Sequence, residues 1–279
     1  MNHASETRVA PFRAVILNAD DWGRTTQTTD CIFDCVGRGA VSAVSAMVFM
    51  SDSERAACLA AQRGVDAGLH LNFTTTFSAP HVPLALRVHQ GKLAGFLLSS
   101  RMARVVFHPG LIASFDYVVK AQLDEYERLY GFPAHRVDGH HHMHLCSNVV
   151  FQKLIPAGAI VRRNFSFLPE EKGVVNRCYR RWQDRLLDRR YQTTDYFFPL
   201  MPLDAERLRQ IFAFAADSDV EIMTHPANRE EYQFLLDGEL SRLAREVPIA
   251  PGYSLRAQRQ PSPVPLKPGD AAPQPRSAP

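Results

Sequence analysis

The sequence predicts an α/β fold built on a mostly parallel sheet. Three observations carry this. Apolar strand-like runs alternate with helical periodicity along nearly the whole chain. Four polar clusters, NADD, GLHLN, DGHHHMH and THP, each lie at or near the end of a strand-like run. And 279 residues with 46% hydrophobic and 22% charged side chains suit one large α/β domain with a substantial core.

AVILNA (14–19) is a short apolar run that ends in polar residues and reads as a buried strand. The Thr/Gln/Asp-rich stretch after it leads into a helix closed by Gly37 and Gly39. AVSAVSAMVFM (40–50) reads as a second strand. The next helix is capped by Ser51 or Ser53 and stopped by Gly64. VDAGLHLNF (65–73) is a third strand, followed by a Pro-containing loop and a helix from about 93 to 107. Residues 114–131 form an amphipathic helix with Val118, Leu123, Tyr126 and Leu129 on its inner face. HRVDGHHHMHL (135–145) starts as a strand, AIVRR (159–163) is another, and VEIMTHP (220–226) is a late one. From residue 251 the chain is rich in Pro, Ala and Ser and reads as a disordered tail, which leaves 1–250 as the folded domain.

The net charge is +3, and the densest basic run is RCYRRWQDRLLDRR at 177–190. It reads as a solvated helix face with Asp184 and Asp188 as intrahelical partners, the alternative being contact with an anionic or sugar ligand. No nucleic-acid motif accompanies it. Cys31, Cys35, Cys58, Cys146 and Cys178 form no C-x-x-C pair, which suits a reducing compartment. Cys31 and Cys35 share a helix face, as buried small hydrophobes or as zinc ligands. No apolar run is long enough to span a bilayer and the N-terminus has no apolar leader segment, so the expected location is cytoplasmic. A homodimer stays open as an assembly state.

The polar clusters carry the chemistry, because ligands of parallel α/β folds bind at the carboxyl ends of strands. Asp20 and Asp21 are adjacent carboxylates, costly to bury together unless a cation joins them. One can ligate while the other stays near as a base. As an exposed loop, the same pair would be a helix cap. His70 points opposite to Leu69 and Leu71 if its strand is regular, either toward a site or as a hydrogen-bonded core residue. In the run His140, His141, His142 and His144, Val137, Met143 and Leu145 interleave as apolar anchors, so the run is not simply solvated. If extended, Asp138, His140, His142 and His144 share a face. If helical, His140 and His144 do. One or two of the four are expected to ligate a metal, with the rest, Asp138 and Asn72 orienting ligands or contacting substrate; the alternative is a buried cluster of neutral imidazoles without metal, which would need many hydrogen-bond partners. His225 stands at a strand end, fixed by Pro226. One Asp and two His form a ligand set with open positions. A spare Asp and a spare His supply base and acid, which implies metal-assisted hydrolysis of a carbonyl compound.

ILNADDWG, GLHLNFT, VDGHHHMHL and IMTHP together resemble the successive motifs of the YdjC-like carbohydrate deacetylases, over residues 15–227. The resemblance implies a distorted TIM-like (β/α) barrel that removes the N-acetyl group of an amino sugar, oligosaccharide or glycolipid. It implies Asp21, His70 and His140 as metal ligands, Asp20 as base and His225 as acid. It also implies magnesium, whereas two imidazoles and a carboxylate suit zinc or another transition metal. Trp22 stands where Phe is usual and Gly139 where Ser is common, both beside the metal motif. Two other classes compete: a non-catalytic carbohydrate-binding protein on the same fold, which would need neither Asp20 nor His225, and a metal phosphoesterase, which would need more ligands and a phosphate clamp.

Overall fold

A computed structural model describes residues 14–168, 171, 174–244, 247 and 249–253. Seven strands form one parallel sheet: β1 (Val15–Trp22), β2 (Ala43–Ala46), β3 (Asp66–Leu71), β4 (Arg136–Gly139), β5 (Ile160–Val161), β6 (Tyr196–Pro199) and β7 (Val220–Thr224). Their spatial order is β5-β4-β3-β2-β1-β7-β6. The sheet curls until its two ends meet. Val161 N–H donates to Gln192 O at 2.8 Å, and Ser166 N–H donates to Phe197 O at 2.7 Å. The result is a distorted (β/α) barrel closed by irregular backbone bonds beside β5 and β6, in line with the expected fold class.

Between the strands run α1 (Thr26–Gly37), α2 (Ser53–Arg63), α3 (Leu84–Ser99), α4 (Ile112–Tyr130), α5 (Ser147–Gln152), α6 (Val174–Asp188), α7 (Ala205–Ala213), α8 (Arg229–Leu236) and α9 (Glu239–Leu243). Local chemistry sets their ends. The Thr25 hydroxyl caps α1 by accepting from Thr28 N–H. Gly64 and Gly131 close α2 and α4 in the left-handed conformation. The N-cap of α2 is Asp52, not either serine. α4 buries Phe115, Val118, Val119, Gln122 and Tyr126, with the Tyr126 hydroxyl donating to Ala67 O of β3 at 2.8 Å. Leu123 and Leu129, expected on that face, are only partly buried.

Three expectations need correction. The helix expected at 93–107 is α3, which begins nine residues earlier and gives way to a 3-10 turn at Arg101–Arg104. Its internal Gly91 and Gly95 weaken the helical signal, and its N-cap is Pro83, which reads as loop. The basic run does lie largely in α6, but its acids bond outside the helix, Asp184 from a buried position and Asp188 from an exposed one. Asp184 accepts from Asn164 N–H and Nδ2 and from Arg163, and Asp188 accepts from Thr193. β6 and α7 were not expected at all, since YFFP is too short to show alternation.

The chain stays packed past residue 250. Tyr253 is buried, its N–H donates to Asp66 Oδ2 at 2.6 Å, and its ring lies 4.3 Å from the Arg136 guanidinium. The rest of the expected tail lies outside the described residues. Among the described residues no helix is long and apolar enough to cross a membrane.

Candidate metal centre

Strand pleat decides which side chains enter the barrel. Residues two apart share a face, so β1 sends in Asn18 and Asp20, β4 sends in Arg136 and Asp138, and β3 sends in His70. All five are buried. Register places His70 beside Asp138 and Ala19 beside Thr224, so Asp20 and His225 follow neighbouring positions on one rim.

The donors converge at that rim. Asp21 Oδ1 lies 2.9 Å from His140 Nδ1 and 3.5 Å from His70 Nε2. His70 turns its other nitrogen to Asp138 Oδ1 at 2.7 Å, which fixes the ring and leaves Nε2 facing Asp21. Asp21 Oδ2 receives Arg24 at 2.9 Å. Asp21 Oδ1 is buried without a well-formed hydrogen bond. Such an oxygen between two imidazole nitrogens fits a cation, and the two-nitrogen, one-oxygen donor set fits a divalent metal. A second grouping of Asp20, His70 and Asp138 also has ligand spacing. Its carboxylates are already spoken for: Asp20 by Arg162 and Asn18, Asp138 by Arg162, His70 and Ser45.

The sequence marks Arg162 only as part of the strand-like run 159–163, yet it organises the interior. Its guanidinium meets Asp20 at 2.7 Å, Asp138 at 2.7 Å and Glu221 at 2.6 Å. One cation thus faces three carboxylates, and a divalent ion above them would supply the missing positive charge. No local signal marks Arg162 or Glu221. The one available hint is a charged residue within each of two short apolar runs.

Protonation follows from this crowding. Burial opposes charge on Asp21, but the close approach of His140 and the charges of His70, His140 and Arg24 outweigh it and hold the carboxyl below the ordinary range. Burial likewise opposes charge on Asp138, and Arg162 and His70 outweigh it. Burial would lower His70, but Asp138 and Asp20 raise it above the usual imidazole value. Burial raises Glu221 despite Arg162.

The histidine run is neither extended nor regular helix. It forms a 3-10 turn over His140–Leu145 with His141 and His142 at positive φ, 54° and 58°. Asp21 is also left-handed, at φ 69°. Such strain in non-glycine residues gathers at functional sites. The turn sends its members apart. His140 faces Asp21, and exposed His141 meets Thr74 Oγ1 at 3.1 Å. His142 packs edge-on against Phe165, and His144 Nε2 meets Arg162 O at 2.9 Å. Asn72 serves its own loop. Its Oδ1 accepts from Thr74 and Thr75 N–H, and its Nδ2 donates to Thr75 O. It has no hydrogen bond to the cluster among the described residues. His225, with a side chain 40% exposed, sits 4.0 Å from Glu231. Glu231 also accepts from the His225 N–H and the Thr224 hydroxyl, which pins the strand end. Among the described residues neither metal-capable group contains a cysteine.

Fold and site define a class, a (β/α) barrel with a metal-capable Asp–His–His site at its C-terminal rim. Within that class the chain belongs to the YdjC-like protein family, whose sequence profile matches residues 14–246. A carbohydrate deacetylase of Mus musculus is 29% identical over 171 residues, 59% of this chain and 53% of the relative. The Homo sapiens carbohydrate deacetylase is 30% identical over 170 residues, 59% of this chain and 51% of the relative. A chitooligosaccharide deacetylase of Proteus mirabilis is 29% identical over 135 residues, 48% of this chain and 51% of the relative. The matched region thus spans about half the length of these curated relatives. The crystal structure of a proposed cellobiose-phosphate cleavage protein of Enterococcus faecalis shares the fold, with a TM-score of 0.60 at 18% identity over 87% of this chain and 98% of that one.

Proposed function

We propose that the chain is a divalent-metal-dependent hydrolase that removes the N-acetyl group of an amino sugar, oligosaccharide or glycolipid. The observation that carries this is the division of labour between adjacent aspartates. Asp21 offers a bare oxygen between two imidazoles, while Asp20 is held aside by Arg162. The deacetylase names of the relatives supply the reaction class.

Asp21, His70 and His140 would hold the ion. When bound, it acidifies a water and offsets negative charge on the amide carbonyl oxygen. Asp20 takes a proton from that water as the oxygen bonds to the carbonyl carbon. Arg162 and Asn18 fix the Asp20 carboxylate so that no reorientation is needed. His225 gives a proton to the nitrogen as the C–N bond breaks, and acetate and a free amine leave. Asp138 acts through His70 by holding its ring. His142 and His144 shape the rim turn. Magnesium follows from the family resemblance, and zinc or another transition metal from the nitrogen donors. A cytoplasmic location is part of the same reading.

The test is metal analysis combined with acetate release across a panel of N-acetyl sugars. Asp20→Asn should keep its metal and lose about 10²–10⁴ in turnover. Acetate release near the wild-type rate would remove Asp20 as base. Turnover of a phosphodiester with no acetate from any N-acetyl sugar would replace the deacetylase reading with a phosphoesterase.

A further inference from the structure

We propose that helix α3 and the 3-10 turn after it dock on an anionic lipid bilayer, so that the chain works as a peripheral protein at a membrane surface. Docking is read without turnover and stands apart from the deacetylase reading.

β3 ends at the rim and α4 makes the return to β4, so α3 and two 3-10 turns are an extra excursion between them. α3 is apolar on two faces. Leu86, Gln90, Leu93 and Leu97 are buried against the protein. Gln90 locks the helix in place, accepting from Phe77 N–H at 3.1 Å and donating to Thr75 O at 2.7 Å. At about 100° per residue, Leu84, Val88, Gly91, Gly95 and Leu98 form a single stripe on the opposite side. Leu84 is 77% exposed and Leu98 59%, and Met102 on the following turn is 63% exposed. A Cβ at Gly91 or Gly95 would meet nothing within 4 Å, so the stripe is open along its length. Eight of the twelve exposed large hydrophobic residues among the described residues lie between 84 and 112. Single exposed leucines are ordinary, but a concentration of this kind marks a contact surface.

Charge says what covers it. Arg87 and Lys92 fall on the two flanks of the stripe, and Arg101 and Arg104 follow on the turn. From Ala67 to Phe115 the chain has no Asp or Glu. Basic side chains beside a strip of leucine are what an interfacial helix presents. Their aliphatic stems lie along the apolar layer and their charges reach phosphate headgroups. A second copy meeting the same face would set these cations against their own kind, with no carboxylate on the segment to separate them. A protein partner is poorly served too, because the stripe has no aromatic anchor and its middle is two glycines. The turn is tied to the rim: Val105 O accepts from the Ser147 hydroxyl at 2.7 Å, two residues past the histidine turn. Docking therefore brings the metal-capable rim to the lipid surface.

The full chain is sedimented with vesicles of phosphatidylcholine alone or of phosphatidylcholine with roughly one third phosphatidylglycerol. It should partition onto the anionic vesicles about tenfold more than onto the neutral ones, and about 0.5 M salt should remove most of the difference. Leu84→Ser/Leu98→Ser should weaken partition about tenfold or more on both vesicles. Arg87→Gln/Lys92→Gln should erode the preference for the anionic ones. Arg38→Gln/Arg209→Gln, which removes the same charge from α1 and α7, should leave that preference in place. The substituted side chains are exposed. Circular dichroism and metal content check the fold of each variant, and acetate release from a soluble N-acetyl sugar should not change. Absence of vesicle binding, or equal losses in the two charge variants, would overturn the proposal. Self-association abolished by Leu84→Ser/Leu98→Ser, without vesicle binding, would also overturn it and give the face to a second copy. Vesicle binding with no acetate from any N-acetyl sugar would keep the docking surface and remove the deacetylase reading.

Discussion

His140, His141, His142 and His144 are chemically identical, and the fold gives them four different surroundings. His140 meets Asp21, while His141 reaches outward to Thr74. His140→Ala should therefore lose most bound metal, and His141→Ala should keep it, as read by metal per chain after dialysis. Equal losses would mean that the run binds as an undifferentiated cluster. His144 is a different case. Burial pushes its imidazole down to about 4, against an ordinary value of 6.5. The unfolded chain takes up a proton below pH 6.5, and the folded chain resists until about 4. Stability should therefore fall as pH drops from 6.5 toward 4, and hold above that window. His142, also lowered well below 6.5 by burial, adds to the same limb. Denaturant melts at pH 4.5, 5.5 and 6.5 should show this slope, and His144→Gln should make it shallower by about one proton.

The strands work as short rulers, and their pleat determines what the barrel can hold. In β3, Gly68 stands two residues before His70 on the inward face. A Cβ there would lie 2.8 Å from Arg136 Cζ. Arg136 cannot yield freely, because it is bonded to Asn18, Val44 O and Asp66. Gly68→Ala should cost about 1–3 kcal/mol by overpacking. Gly91, in α3, has nothing within 4 Å of such a Cβ. Gly91→Ala should instead stabilise by about 1 kcal/mol through helix propensity. Urea midpoints of the two variants should move in opposite directions. Element existence was legible where the pattern was long. The apolar run at 14–19 that opens β1 and the nineteen-residue α4 stand out in the sequence, although β1 itself runs on to Trp22. The four-residue β6 and the glycine-containing start of α3 do not, because too few positions alternate to define a period.

At the scale of the molecule, the barrel is a stack of polar layers inside an apolar shell. At its lower end Arg136 joins Asn18 and Asp66, and Tyr253 covers it. Tyr253 follows the division at 250 that composition suggests, so that boundary cuts into packed chain. A chain ending at Tyr253 should melt like the full protein. One ending at Ala250 should lose about 3–5 kcal/mol, the usual cost of deleting a large buried aromatic side chain. Equal melting temperatures would show that Tyr253 only rests on the surface.

The sequence by itself determined the alternation of strand and helix, and with it the parallel sheet. It also put Asp20, Asp21, His70, the histidine run and His225 at or near strand ends, because a parallel sheet delivers those ends to one rim. These are local properties, written in periodicity and spacing. Only the tertiary structure decided which histidine of the run faces Asp21, since that depends on two left-handed residues within a 3-10 turn. It alone showed that Asn72 serves its own loop, that Asp184 turns inward to Asn164 and Arg163, and that Asp188 bonds Thr193 rather than the basic residues of its own helix. It alone revealed Arg162 as the hub. Arg162 lies 142 residues from Asp20 and 59 from Glu221, and no local pattern connects them. The physical reason is burial: a guanidinium withdrawn from water needs carboxylates around it, and the closed barrel is what brings them there.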